Sequence, residues 1–205
     1  MQTPATSLVP DLDRLLESAA TAHGHMCPGV VLGTRMASLG MGLLGLEPGR
    51  AHQGLNVVVE TARCATDAIQ ATTACSIGRH TLKLHEFGKM AATFAFEGRE
   101  DAFRVLVLES SRGEADRRHP EIEGRRERQL AAYHEMEDDA LFGVVRVRLL
   151  ERLEAPNKAP RTKAVCPWCG ETFQESWGVR LGEATVCASC GGSGYCRPIR
   201  EPLTP

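Results

Sequence analysis

Apolar positions at Leu12, Leu15, Leu16 and Ala19 recur at helical spacing and predict a first helix from Leu12 to about Ala22, capped by Asp11. Gly24 is placed to end it, which leaves His23 and His25 in the connection. A second helix starts at Pro28, where a missing N–H costs nothing, with Cys27 at its N-cap. It runs to about Leu44 with Leu32, Met36, Leu39 and Leu43 as its large apolar stripe. Gly33, Ala37 and Gly40 line a small-residue stripe beside it. Glycine weakens a helix, so this stripe predicts that another backbone packs very close.

After the Glu47-Pro48-Gly49 turn, Leu55 to Glu60 reads as a strand, and Cys64 opens a helix ending near Ala74. Ala65, Ala68, Ile69 and Thr72 supply its buried face, and Asp67 is placed to reach back to the cap. Lys83 to Met90 is helical or irregular. Ala92, Phe94 and Phe96 alternate as a strand, and Phe103 to Glu109 follows as another. The charged run from Arg112 to Arg128 reads as a solvated loop leading into a helix that ends near Ala140. Val144 to Leu150 makes a last strand.

Residues 154–163 have linker composition, two prolines and no large apolar side chain. They divide the chain into a core domain, residues 1–155, and a small four-cysteine zinc-finger domain, residues 156–205.

With 205 residues and 42% hydrophobic content, the chain can bury a real core. A formal net charge of −2 argues against binding to a phosphate backbone as its main role. The interleaving of acidic residues with the arginines of the charged run points the same way. The opening residues are polar rather than leader-like, and Val30 to Leu46 is too short and too interrupted to span a bilayer. A cytoplasmic location is the expectation.

The eight cysteines sharpen this. Cys166-Pro167-Trp168-Cys169 is followed, after seventeen residues, by Cys187-Ala188-Ser189-Cys190. Two such pairs are a tetrahedral zinc pattern rather than a disulfide framework, and a segment this small needs the metal to fold. Cys166, Cys169, Cys187 and Cys190 are therefore expected to hold a structural zinc, with Cys196 left over as a free thiol. Six Lys/Arg against four Asp/Glu from residue 156 onward leave this module too weakly basic for a nucleic-acid reader.

His23-Gly24-His25-Met26-Cys27-Pro28-Gly29 concentrates ligand chemistry. Cys27 and Cys64 both stand at helix starts, where the helix dipole favours the thiolate that binds a metal or attacks an electrophile. Converging helix starts would give a core site of His23, His25, Cys27 and Cys64, with Asp67 behind it. Only one of the two histidines is expected to face the metal. Zinc, nickel or iron suits such mixed N/S ligation. Cys27, Cys64, Asp67 and Cys75 are the candidate catalytic groups. Cys75 ranks lower, since a continuous helix would carry it about 16 Å from Cys64 at about 1.5 Å per residue. His52, His80, His85, His119 and His134 lack such context, His80 being the nearest to Cys75 in sequence.

Taken together, the His23-Gly24-His25-x-Cys27-Pro28-Gly29 motif with Leu32-Gly33-x-Arg35-Met36, Cys64-x-x-Asp67-Ala68-Ile69-Gln70, Thr73-x-Cys75 and Phe87-Gly88-Lys89 resembles the FmdE family of formylmethanofuran dehydrogenase proteins. The Cys-x-x-Cys tail resembles the treble-clef-like zinc module that some members append. The resemblance implies an α+β fold with a mixed β-sheet packed with helices, dimers, a metal or substrate pocket lined by the His and Cys motifs, and association with molybdenum- or tungsten-dependent one-carbon metabolism. Ala74-Cys75-Ser76, Gly78-Arg79-His80-Thr81 and Glu86 depart from the family pattern. Gly191-Gly192-Ser193-Gly194 argues against a long helix after Cys190.

Three functions fit these features. The first is a metal-binding accessory protein of a molybdenum or tungsten oxidoreductase. The second is a metal- or thiolate-dependent enzyme on a small C1 or acyl substrate. The third is a zinc-finger regulator of a protein or nucleic acid.

Overall fold

The computed structural model describes residues 12–149 and 162–195, which fall in two compact units divided between Pro156 and Asn157. Asp11, most of the linker and Cys196 lie outside the described residues.

The first unit runs α1 (Leu12–His23), α2 (Pro28–Leu43), β1 (Leu55–Val59), α3 (Cys64–Thr73), β2 (Leu82–Leu84), β3 (Ala91–Phe96) and β4 (Ala102–Val107). It continues α4 (Glu109–Arg118), α5 (Arg125–Glu135), α6 (Asp138–Leu141) and β5 (Phe142–Val147). The architecture is α+β around a mixed sheet, as the family resemblance implied. The strands lie in the order β2-β1-β3-β4-β5, with β1 and β2 parallel and the other pairs antiparallel. Two neighbouring parallel strands require a crossover, and α3 supplies it.

Register explains the core. Val57 pairs with Phe94, Val59 with Ala92 and Ala92 with Val105, and all five are fully buried. Residues paired in this way share a face of the sheet. Helix α2 packs against β3 and β4 and against α1, α3 and α5. Because α2 has neighbours on several sides, Val30, Val31 and Met41 are buried as well as Met36. Leu43 is exposed, so the apolar stripe read along this helix ends before its last turn.

The small-residue stripe acts as expected. A Cβ on Gly33 would lie 2.5 Å from the Ala65 carbonyl oxygen, so α3 can approach α2 here only because the side chain is missing. A Cβ on Gly40 would lie 2.2 Å from the Phe94 ring.

On the opposite face of the sheet, Arg104 donates from Nε to Glu60 Oε1 at 2.6 Å and from Nη2 to Oε2 at 2.8 Å. The pair crosses β3, where Ala91 and Thr93 are small enough to be spanned. The Arg104 hydrogen bonds hold the Glu60 carboxyl below its ordinary value, against burial, with Lys89 and His85 adding to the effect.

Three local expectations change. The stretch Lys83 to Met90 contributes the end of the short strand β2 and then a loop. The charged run begins as α4, and the chain breaks around Pro120 and Gly124 before α5. The helix expected to reach Ala140 stops at Glu135, and the short α6 restarts at Asp138. Ion pairs Arg118–Glu114 and Arg125–Asp116 support the polar helices, and such pairs do not appear in a hydrophobic pattern.

The second unit has two hairpins, β6 (Lys163–Val165) with β7 (Thr172–Gln174), and β8 (Gly178–Leu181) with β9 (Ala184–Cys187). A single helical turn over Ser189–Ser193 follows, broken at Gly192, where φ is +108°. A longer helix does not form because glycine there takes a left-handed conformation.

Candidate metal centre

The N-terminal site is built where α1 ends and α2 and α3 begin. His23 is the last residue of α1 rather than part of the connection, and Gly24, with φ of +96°, turns the chain away. The Gly24 N–H donates to the Ala20 carbonyl at 2.8 Å and closes the helix. Cys27 sits extended at the N-cap of α2 with Pro28 following, and its carbonyl accepts from Val30 and Val31. Two helix ends thus bracket the four residues Gly24 to Cys27.

His23, His25 and Cys27 bring one donor atom each to within 4.8 Å of one another. The two imidazole rings lie 4.7 Å apart between centroids, tilted by 41°. Both histidines therefore converge, where the sequence suggested that one would face a metal and the other would not. Asp67, in the first turn of α3, holds His23: Nδ1 donates to Oδ2 at 2.7 Å. The carboxylate does not serve as the cap of its own helix, because the packing of α1 on α3 offers it an imidazole.

That bond fixes the tautomer. A carboxylate only accepts, so the proton of the neutral ring sits on Nδ1, which leaves Nε2 as the atom available to a metal. Nε2 is buried and has no hydrogen-bond partner. A buried, unpaired nitrogen costs about 1–3 kcal/mol unless something else engages it. A cation held by His23, His25 and Cys27 would engage it, and carboxylate–histidine pairs of this kind orient metal ligands. The donor set fits a transition metal.

Cys64 begins α3 beside Cys27, outside the three-donor group. A Cβ on Gly29 would lie 2.9 Å from Cys64 Cβ and 3.7 Å from Cys27 Sγ, so the glycine allows both sulfur residues to share this space. Burial pushes the Cys64 thiol up, and the hydrogen bond and charge of Cys27, then the charge of Asp67, push it the same way. The direction is opposite to the one a helix start alone would impose.

Cys75 is placed elsewhere. Ala74 ends α3 in a left-handed conformation, and Cys75 turns into the main core, its thiol 3.6 Å from the Leu55 carbonyl oxygen. Burial raises this thiol as well. His80 occupies a turn, His52 bonds the Glu47 carbonyl, and His119 and His134 pair with carboxylates. None of them joins the site.

Two supporting residues were not among the expected site residues. Glu86 accepts from the backbone N–H of Ala62 at 2.6 Å and of Gly88 at 3.0 Å, tying the loop before Cys64 to the loop after β2. Arg126 donates to the Met26 carbonyl at 3.0 Å and braces the His25–Cys27 turn from α5. Beside that turn, Leu16, Ala20, Gly24 and Met26 line an open depression of about 530 Å³.

In the second unit Cys166, Cys169, Cys187 and Cys190 also place their sulfurs within 4.8 Å of one another. Cys169 and Cys187 sulfurs are 3.9 Å apart, near the edge of about 3.8 Å expected for a tetrahedron with zinc–sulfur bonds of about 2.3 Å. Burial raises the Cys166 thiol but is outweighed by backbone N–H groups of Cys187, Cys169 and Trp168, which bring it to about 6. Cys190 is pushed up to about 12 by its hydrogen bond to Cys187 and by burial.

A model of the family described as FmdE, molybdenum formylmethanofuran dehydrogenase operon, matches residues 22–159. The chain belongs to the FmdE family. The match begins just before His23 and takes in the whole N-terminal site and the five-stranded sheet. The FmdE fold is also seen in a crystal structure of a tungsten formylmethanofuran dehydrogenase FmdE-like protein from Syntrophus aciditrophicus. That chain is 22% identical, with a TM-score of 0.69 over 96% of this chain and 100% of that one. A probable S-adenosyl-L-methionine-binding protein of Archaeoglobus fulgidus is 39% identical over 99 residues. The alignment covers 47% of this chain, which spans only 27% of that relative's length. No helix among the described residues is long and apolar enough to cross a membrane.

Proposed function

We propose that this FmdE-family protein is a metal-binding accessory protein with two centres. One is a transition-metal site in the core domain, held by His23, His25 and Cys27 with Cys64 adjoining. The other is a structural zinc held by Cys166, Cys169, Cys187 and Cys190 in a zinc-finger domain of residues 156–205. The observation that carries the first centre is the buried, unpartnered Nε2 of His23, aimed by the Asp67 hydrogen bond. Zinc, nickel and iron all suit the donor set. The family description supports association with a molybdenum formylmethanofuran dehydrogenase system. The proposal extends to a tungsten-dependent counterpart and to a homodimer working in the cytoplasm, where thiolates stay reduced.

Elemental analysis of the purified full-length chain tests this reading. Two metal equivalents per chain are expected, falling to one in Cys27→Ser with the tail's zinc retained. A single equivalent, unchanged by Cys27→Ser and lost in Cys166→Ser, would overturn the core centre.

One observation favours a second reading. His25 is exposed, and three protein ligands with an open position are the pattern of catalytic rather than structural metals. A metal bound there would supply Lewis acidity toward a small C1 or acyl substrate. The chain's own part would be to orient His23 through Asp67 and to admit the substrate along the depression beside Met26. Binding of formate to the metal-loaded protein, followed by the spectrum of cobalt substituted at the site, checks it; no change at saturating formate counts against it.

A further inference from the structure

Cys27 and Cys64 lie 37 positions apart in the chain, at the starts of two different helices, yet they meet across Gly29. The metal reading uses Cys27 as a ligand but leaves Cys64 outside the three-donor group. Cys64 is also the more exposed of the two, since Cys27 is buried. Cys64 Cβ and Cys27 Sγ lie 2.9 Å and 3.7 Å from the point where a Gly29 Cβ would stand, so the two side chains enter one space. Both cysteines have rigid supports, one preceding Pro28 and the other opening α3, and α2 packs closely on α3 through Gly33.

We propose that Cys27 and Cys64 are a redox-convertible thiol pair, closed to a disulfide by small-molecule disulfides, and that closure withdraws Cys27 from the metal centre. The exchange balances. The Cys64 thiolate attacks one sulfur of the reagent, forming a mixed disulfide and expelling one small thiolate. The Cys27 thiolate then attacks the Cys64 sulfur, forming the protein disulfide and expelling the second. The two protein thiols are oxidised by two electrons, the reagent is reduced to two thiols, and the two protons pass to them. Cys75 takes no part, because its thiol is turned toward Leu55 on the far side of the end of α3. The loss of metal rests on the proposed core centre, whereas the disulfide does not.

The full-length chain treated with oxidised glutathione, alkylated and digested with trypsin provides the test. The fragment holding Cys27, residues 15–35, should be joined to the fragment holding Cys64, residues 64–79. The link should persist in Cys75→Ala, which shares the second fragment, and vanish in Cys27→Ala, where the glutathione adduct remains on Cys64. Metal content should fall by one equivalent on oxidation and return on reduction. Both cysteines remaining freely alkylated, or carrying only glutathione, in a chain with an unchanged circular dichroism spectrum would overturn the pair. A link formed in a chain that still holds two metals would overturn the withdrawal of Cys27. A link formed in a chain with only the tail's zinc in either state would support the pair and overturn the core-centre reading.

Discussion

At the scale of single residues, the site depends on which atom of His23 faces inward. Asp67 decides this from another helix, 44 positions away. Asp67→Asn can still accept a hydrogen bond but no longer opposes the charge of an engaged imidazole. Asp67→Ala leaves Nδ1 unheld. Metal affinity at the core is expected to fall about 10–100-fold in Asp67→Ala and less in Asp67→Asn, read by chelator competition. Glu60 and Arg104 make a second residue-scale case. A lowered Glu60 pKa means that its contribution is complete above the ordinary carboxylate value and is lost as pH falls through the lowered one. Urea midpoints should therefore decline on the acid side in the parent chain, with a shallower decline in Glu60→Gln. Arg104→Met leaves a largely buried carboxylate unpaired, and a loss of about 3 kcal/mol is expected from urea unfolding.

At the scale of elements, the contact between α2 and α3 is set by absent side chains. Gly33→Ala would drive a methyl into the Ala65 backbone, which cannot yield like a side chain. A loss of about 1–3 kcal/mol is expected in denaturant unfolding. Weaker metal binding should accompany it, because α3 carries Asp67. Gly42 lies in the same helix with nothing within 4 Å of its Cβ position. Gly42→Ala should raise stability by about 0.5–1 kcal/mol, which separates helix propensity from packing. The element-scale surprises in this chain share a cause. Strand β2 is three residues long and held by β1, so no run of alternation marks it. Helix α4 has almost no apolar face and is supported by ion pairs and the burial of Ala115.

At the scale of the whole molecule, the two units give separable signals. Both tryptophans, Trp168 and Trp177, lie in the second unit, while the described α-helices of at least ten residues lie in the first. Chelation of the full-length chain should change tryptophan emission while most of the helical circular dichroism remains, since three-residue and four-residue hairpins have little core of their own. Simultaneous loss of both signals at the same chelator concentration would show that the units unfold together.

The sequence by itself determined what depends on neighbours along the chain. It set the starts of α1, α2 and α3, the strand β3, the two Cys-x-x-Cys pairs and the clustering of His23, His25 and Cys27 within five positions. Periodicity, capping and ligand spacing act within a few turns, so they are written locally. Tertiary structure alone decided which of the distant candidates meet. Asp67 and Cys64 reach the His23–Cys27 turn because α3 packs on both α1 and α2, whereas Cys75, only eleven positions beyond Cys64, is turned away by the left-handed Ala74. The same opening stretch that concentrates the ligands therefore acquires its orienting carboxylate and its second thiol only when the crossover helix is docked.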